Sequence, residues 1–278
     1  MRMRRGRLLL VAFAMALGLL PADCAPSTPA LTWSDEFTGP AGASPDQSRW
    51  RHETGGTGWG NNELEYYTDN ADNAVLDGDG HLVITVRRAD PSRSCWYGAC
   101  RFTSARLTTY QRFSQEYGRF EARTKLPEGA GVWPAFWLLG DDINDVGYPE
   151  CGEIDIMENL GQQPRTVRGS LHGPGYYASG SYTLPGPRTL AEDFHVFAVD
   201  WSPTSVSFSV DGHIYQTRNR ADGNRGWVFD HPFSILLNVA VGGDFPGPPN
   251  DATRFPQHMV VDYVRVYAPS GTATPTRP

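Results

Sequence analysis

Gly152-Glu153-Ile154-Asp155-Ile156-Met157-Glu158-Asn159 carries the reading of this 278-residue chain. In an extended strand successive side chains point to opposite faces, so Glu153 and Asp155 share one face and Ile154 and Ile156 the other. The isoleucines then fill a core while two acids project together away from it. Glu158 is one residue out of phase with a regular strand. A β-bulge around Ile156–Met157 would rotate it back onto the acidic face, and bulges are frequent beside active sites. Three acids would then line about 13 Å of one surface, at roughly 3.3 Å per residue.

The flanking sequence continues the strand pattern. Leu82, Ile84 and Val86 alternate with Val83, Thr85 and Arg87 after the turn-rich Asp77–Gly80. Val206, Phe208 and Val210 alternate with serines and run into Asp211-Gly212, a strong hairpin signal. Phe233, Ile235, Leu237, Val239 and Val241 form one face of a further strand. Near the end, Val260, Asp262, Val264 and Val266 alternate with Val261, Tyr263, Arg265 and Tyr267. No helical stripe of useful length occurs. Short strands at regular spacing with abundant turns predict an all-β sandwich. The 30 Gly and 22 Pro suit such a fold, and the 13 Phe, 12 Tyr and 8 Trp suit either its core or a stacking surface.

The termini read differently. Arg2, Arg4, Arg5 and Arg7 precede an apolar run from Leu8 to Leu20, too short to span a bilayer and patterned as an export signal over residues 1–25. Ala22, Ala25 and Ala30 are all possible cleavage positions. Cys24 leaves a lipid anchor open, although Asp23 is a poor residue before a lipidated cysteine. Residues 268–278 have the Ser/Thr/Pro composition of a linker. The expectation is a secreted, extracellular monomer with one domain over 31–267. Cys95 and Cys100 enclose four residues and suit a local disulfide in an oxidising compartment. Cys151 reads as a buried strand cysteine rather than a catalytic thiol.

The formal net charge is −7, and Lys125 is the one lysine among 24 basic residues. Without residues 1–25, which hold four arginines and Asp23, the balance is 20 basic against 30 acidic residues. Such a surface argues against nucleic acid or an anionic membrane as partner and favours a neutral polymer. Three clustered carboxylates repel one another, so at least one should stay protonated near neutral pH, as a general acid requires. Two carboxyl groups about 5–5.5 Å apart suit retaining glycoside hydrolysis. The same spacing is also open to a hard-cation site and to a solvated strand face. Trp133, Ala135 and Trp137 share a strand face, which makes either a core or a stacking floor for a sugar ring. Trp59, Asn62 and Glu63 lie in a glycine-rich loop suited to ligand contact. His172 follows Arg168 and Ser170 on one face. The remaining five tryptophans, Trp96 among them, have no assigned role.

Glu153-Ile-Asp-Ile-Met-Glu158 resembles the bulged, laminarinase-like active-site signature of glycoside hydrolase family 16. Trp33-Ser-Asp-Glu-Phe37, Gly58-Trp-Gly-Asn-Asn-Glu-Leu-Glu-Tyr-Tyr-Thr68, Gly131-Val-Trp-Pro-Ala-Phe-Trp-Leu-Leu139, His172-Gly-Pro-Gly175, Phe194–Trp201, Asn238–Gly243 and Val261–Tyr267 resemble it as well. In order they cover essentially all of 31–267. The resemblance implies a β-jelly-roll sandwich of two antiparallel sheets, concanavalin A-like, with a concave glycan cleft. It implies a retaining endo-β-1,3-glucanase with Glu153 as nucleophile, Glu158 as acid/base and Asp155 tuning the nucleophile. Trp133, Trp137 and His172 become cleft residues, joined by Trp59 and Asn62. No cofactor is implied for catalysis. A structural Ca2+ on the opposite side is implied at Glu36, Gly80 and Asp262, partly through backbone carbonyls. Mixed-linkage glucan or galactan as substrate, and a non-catalytic glucan-recognition protein on the same fold, are the rival readings. The Cys95–Cys100 segment stands as an insertion relative to the family pattern.

Overall fold

The computed structural model describes residues 29–89, 92–223 and 226–269. The expected export signal and nearly all of the expected tail lie outside them. The first half of the chain forms β1 (Leu31–Asp35), β2 (Arg51–Glu53), β3 (Glu65–Tyr67), β4 (Ala74–Leu76), β5 (Leu82–Arg88), β6 (Ser94–Cys95) and β7 (Gly98–Ala99). There follow β8 (Phe102–Ser104), β9 (Arg106–Thr108), β10 (Gly118–Lys125), β11 (Val132–Gly140), the single turn α1 (Ile143–Val146) and β12 (Glu153–Asn159). Then come β13 (Thr166–Gly173), β14 (Tyr176–Thr183), β15 (His195–Trp201), β16 (Ser205–Val210), β17 (His213–Asn219), α2 (Arg220–Gly223), β18 (Phe233–Val241) and β19 (Gln257–Tyr267). No helix among the described residues is long and apolar enough to cross a membrane.

Two sheets carry the fold, as the strand pattern predicts. One follows the order β17-β16-β15-β10-β19-β5-β8-β3, with β1 beside β19 and β4 beside β5; the other runs β14-β13-β12-β11-β18-β9-β2. Residues at alternate positions of both sheets meet in one core, including Leu82, Ile84, Val206, Phe208, Phe233, Ile235, Leu237, Ile154 and Ile156. The faces expected for β5, β16 and β18 are the faces that are buried. Burial of this apolar surface, at about 25 cal/mol per Å², is the main force holding the sheets together. Asp211 and Gly212 take φ of 50° and 78° between the paired Val210 and His213, the left-handed pair a two-residue hairpin requires.

β19 departs from the uninterrupted alternation read from its sequence. Met259, Val261, Val264 and Val266 face the core, while both Asp262 and Tyr263 face outward. The register against β10 shifts between Arg123 and Thr124, so a bulge at Asp262 changes the phase. Cys151 is buried as expected, but it lies in the turn before β12 and not in a strand.

Candidate active site

A bulge also sets the acids on β12. Opposite β11, Ala135 pairs with Glu158, Phe136 with Met157 and Trp137 with Asp155, leaving Ile156 as the extra residue. Opposite β13, the register shifts between Asp155 and Glu158 as well. Ile156 and Met157 therefore both enter the core. Glu153, Asp155 and Glu158 all turn to the outer face, where they line a cleft of about 520 Å³. Gly152 enters the strand at φ 72°, where a Cβ would also lie 2.9 Å from Val228. A side chain there would be strained twice over.

The neighbouring strands complete the wall and floor. Glu153, Asp155 and Glu158 sit opposite His172, Ser170 and Arg168 of β13. His172 Nε2 lies 3.0 Å from Asp155 Oδ2 and 3.6 Å from Glu153 Oε1. Trp133 Nε1 donates to Glu158 Oε1 at 3.1 Å. Trp133, Ala135, Trp137 and Leu139 of β11 all line the cleft. The alternation that predicts a shared face for the two tryptophans thus gives a floor rather than core: Ala135, Trp137 and Leu236 form a small apolar cluster separate from the interior.

Burial raises the carboxyl pKa of all three acids above the ordinary range. For Glu153 the charge of Asp155 adds to burial, and for Asp155 the charge of Glu158 does. For Glu158, His172, the Trp133 hydrogen bond and Arg168 oppose the effect of burial. For Asp155 both effects act in the same direction and favour retention of a proton. Glu158, with its donors, can give up and regain one. Burial pushes the Cys151 thiol up to about 12, so it carries no thiolate near neutral pH.

The loop residues divide. Trp59 lines the cleft at φ 49°, its Nε1 donating to Gly55 O at 3.2 Å. Asn62 does not line the cavity; its Nδ2 donates to both Asp244 oxygens at 3.1 and 3.0 Å, tying two loops together. Asn61 and Glu63 line the cavity instead. Other residues of the Gly58–Thr68 motif work beneath the floor. Trp137 Nε1 donates to Asn238 Oδ1 at 2.8 Å, Asn238 Nδ2 to Tyr67 Oη at 3.1 Å, and Tyr67 Oη to Glu63 Oε2 at 3.0 Å. Glu65, fully buried, accepts from Val241 N, and burial together with the charge of Glu63 raises its pKa.

Five cleft residues, Arg106, Ile143, Tyr148, Tyr177 and Phe245, do not stand out in the sequence. The guanidinium of Arg106 lies 4.8 Å from the rings of both Trp59 and Trp137 and pairs with Glu53. Phe245 meets Trp133 edge-on at 5.2 Å, and Tyr177 packs on His172 at 4.9 Å. Tyr148 lines the cleft from the loop after α1. Arg106 sits on a three-residue strand with no alternation to read, and Phe245 and Tyr148 sit in loops.

Of the residues expected near a structural calcium, the side chains of Glu36 and Asp262 are engaged by arginines. Both Glu36 oxygens accept from Arg265, and Asp262 Oδ2 accepts from Arg123. A hard cation needs several free oxygens at once, so ligation there would fall to backbone carbonyls rather than to the Glu36 carboxylate. Within the cleft, one ligand atom from each of Glu153, Asp155 and His172 lies within 4.8 Å of the others, which keeps the metal reading geometrically open. Glu158, the aromatic floor and the extended groove lie outside what such a site needs.

A two-sheet sandwich with clustered carboxyls of raised pKa on an aromatic floor defines a carbohydrate-cleaving hydrolase. The family profile described as "Glycosyl hydrolases family 16" matches residues 61–265. The chain belongs to that family. A beta-glucanase of Rhodothermus marinus is 39% identical over 96% of this chain and 95% of its own length. The laminarinase catalytic domain of Thermotoga maritima superposes with a TM-score of 0.81 at 46% identity, covering 87% of this chain and 98% of that one. SCLam, a non-specific endo-β-1,3(4)-glucanase, superposes with a TM-score of 0.76 at 34% identity over 88% of this chain and 94% of that one.

Proposed function

We propose that the protein is a secreted, retaining endo-β-1,3-glucanase acting on laminarin-like polymers. The observation that carries this is the β12 bulge, which turns Glu153, Asp155 and Glu158 together onto a tryptophan floor. Glu153 attacks the anomeric carbon while Glu158 protonates the departing glycosidic oxygen. A covalent glycosyl-enzyme results. Glu158, now ionised, takes a proton from water, which attacks the same carbon and releases Glu153. Asp155, beside Glu153 on the same strand face and raised in pKa by burial and by Glu158, orients and tunes the nucleophile. His172 steadies the pair from β13. Trp133 and Trp137 stack on sugar faces. This chemistry draws on side chains alone.

Export is supported by the basic and apolar N-terminal pattern and by the Cys95–Cys100 disulfide. Mixed-linkage β-1,3-1,4-glucan is the second reading, favoured by the likeness to a non-specific endo-β-1,3(4)-glucanase. Reducing-end release from laminarin, lichenan, agarose and xyloglucan in parallel, with product sizes, tests the proposal. Laminarin should be cut fastest, into a spread of oligosaccharides from the first minutes. Preference for agarose or xyloglucan, or binding of β-1,3-glucan without release of reducing ends, would overturn it.

A further inference from the structure

The cleft crosses the seven-stranded sheet from His172 on β13, past the acids on β12, the tryptophans on β11, Asn238 on β18 and Arg106 on β9, to Trp59 beside β2. β2 is the last strand of that sheet, and the chain passes directly from it into Gly55-Gly56. A hairpin is fastened at this edge. Cys95 pairs with Gly98, which makes Trp96 and Tyr97 the two-residue turn of β6–β7. An isolated two-stranded hairpin is marginal in water; here the Cys95–Cys100 disulfide closes its base.

The tip is held as firmly as the base. Trp96 N donates to Gly56 O at 2.8 Å, and Trp96 Nε1 donates to Glu63 O at 2.7 Å. Tyr97 Oη donates to Leu64 O at 2.6 Å, and its ring meets Trp96 edge-on at 5.4 Å. A Cβ built at Gly58 would lie 3.0 Å from Trp96 Cδ1 and Nε1, so this indole packs directly on the backbone that carries Trp59. Yet Trp96 is 51% exposed. Its N–H is satisfied by the protein, its backbone is pinned, and half of its surface is left to solvent. A rigid indole in that state has its ordering cost already met, which is what a stacking platform for a pyranose ring requires.

We propose that Trp96 is a distal sugar-binding platform, the next step of the row Trp137, Arg106 and Trp59. It takes the part of a β-linked glucan chain that runs out of the cleft past β2. The inference rests on the glucanase reading, and it makes the disulfide hairpin a device for long polymer rather than for bond cleavage.

The test compares Trp96→Ala and Trp96→Phe with wild type on long laminarin and on a short β-1,3-linked oligosaccharide that spans the acids alone. Trp96→Ala should raise the KM for long laminarin roughly three- to tenfold and that for the oligosaccharide by less than about twofold. Trp96→Phe lacks the bond to Glu63 but keeps an aromatic face, and should retain most of the affinity for polymer. Trp96→Leu replaces Trp96→Ala where the latter melts early. Equal shifts on both substrates, no shift on either, or Trp96→Phe behaving as Trp96→Ala would reduce the residue to a brace and overturn the proposal. Failure of wild type to release reducing ends from laminarin sinks the glucanase reading itself, and this inference with it.

Discussion

Glu153 and Asp155, opposite His172 and Ser170 of β13, face the same aromatic-lined groove as Glu158. Burial holds each carboxyl more neutral than in water, and the cost of ionising them falls on the folded state alone. A carboxyl whose folded pKa lies above its ordinary 4.5 contributes stability that is fully present below that value. The contribution is lost as pH rises through the folded pKa. Glu153→Gln, which cannot ionise, should therefore melt higher than wild type at pH 7 by a few degrees, on the order of 1 kcal/mol. The gain should shrink toward zero near pH 4. Thermal melts across that range check it, and a variant less stable at pH 7 would contradict it. Strand period makes the shared face of Glu153 and Asp155 and that of Trp133 and Trp137 legible, whereas the cleft roles of the tryptophans and of His172 are legible only through the family resemblance. Arg106 is not legible, since its role comes from two indoles brought to it by other parts of the fold.

Among the elements, bulges decide most. The one in β12 is legible because an acid out of phase with Glu153 and Asp155 is flanked by two apolar residues that need a core. The one in β19 is hidden, since valines at 260, 261, 264 and 266 fit either phase, and only the pairing with β10 chooses. Loops hide their function more deeply. Asn62 reads as a sugar contact, but its amide joins the 58–64 segment to Asp244, while Trp59 and Asn62 hold left-handed φ of 49° and 56°. Such a loop stays in place only if its surroundings hold it. Asn62→Ala should raise the KM for laminarin about fivefold, the worth of roughly 1 kcal/mol, with a smaller effect on kcat. Steady-state kinetics would show it, and an unchanged KM would mean that the tie is dispensable.

At the scale of the whole molecule, one sheet is given over to the cleft and the other backs it. Alternation on β5, β16 and β18 makes the two-layer arrangement legible, whereas the order of the strands, which interleaves distant segments such as β11 and β18, leaves no local trace. The cleft needs that order: β12 supplies the acids, β11 the floor, β13 the histidine, and β18 and β9 its continuation toward Trp59. An acidic, lysine-poor chain of this architecture is suited to a neutral polysaccharide. The central claim is that Glu153 forms the covalent bond and Glu158 moves the proton. Chemical rescue with azide tests it most directly, by the anomeric configuration of the product. Glu153→Gly should yield an α-glycosyl azide and Glu158→Ala a β-glycosyl azide; the reverse pattern would contradict the assignment.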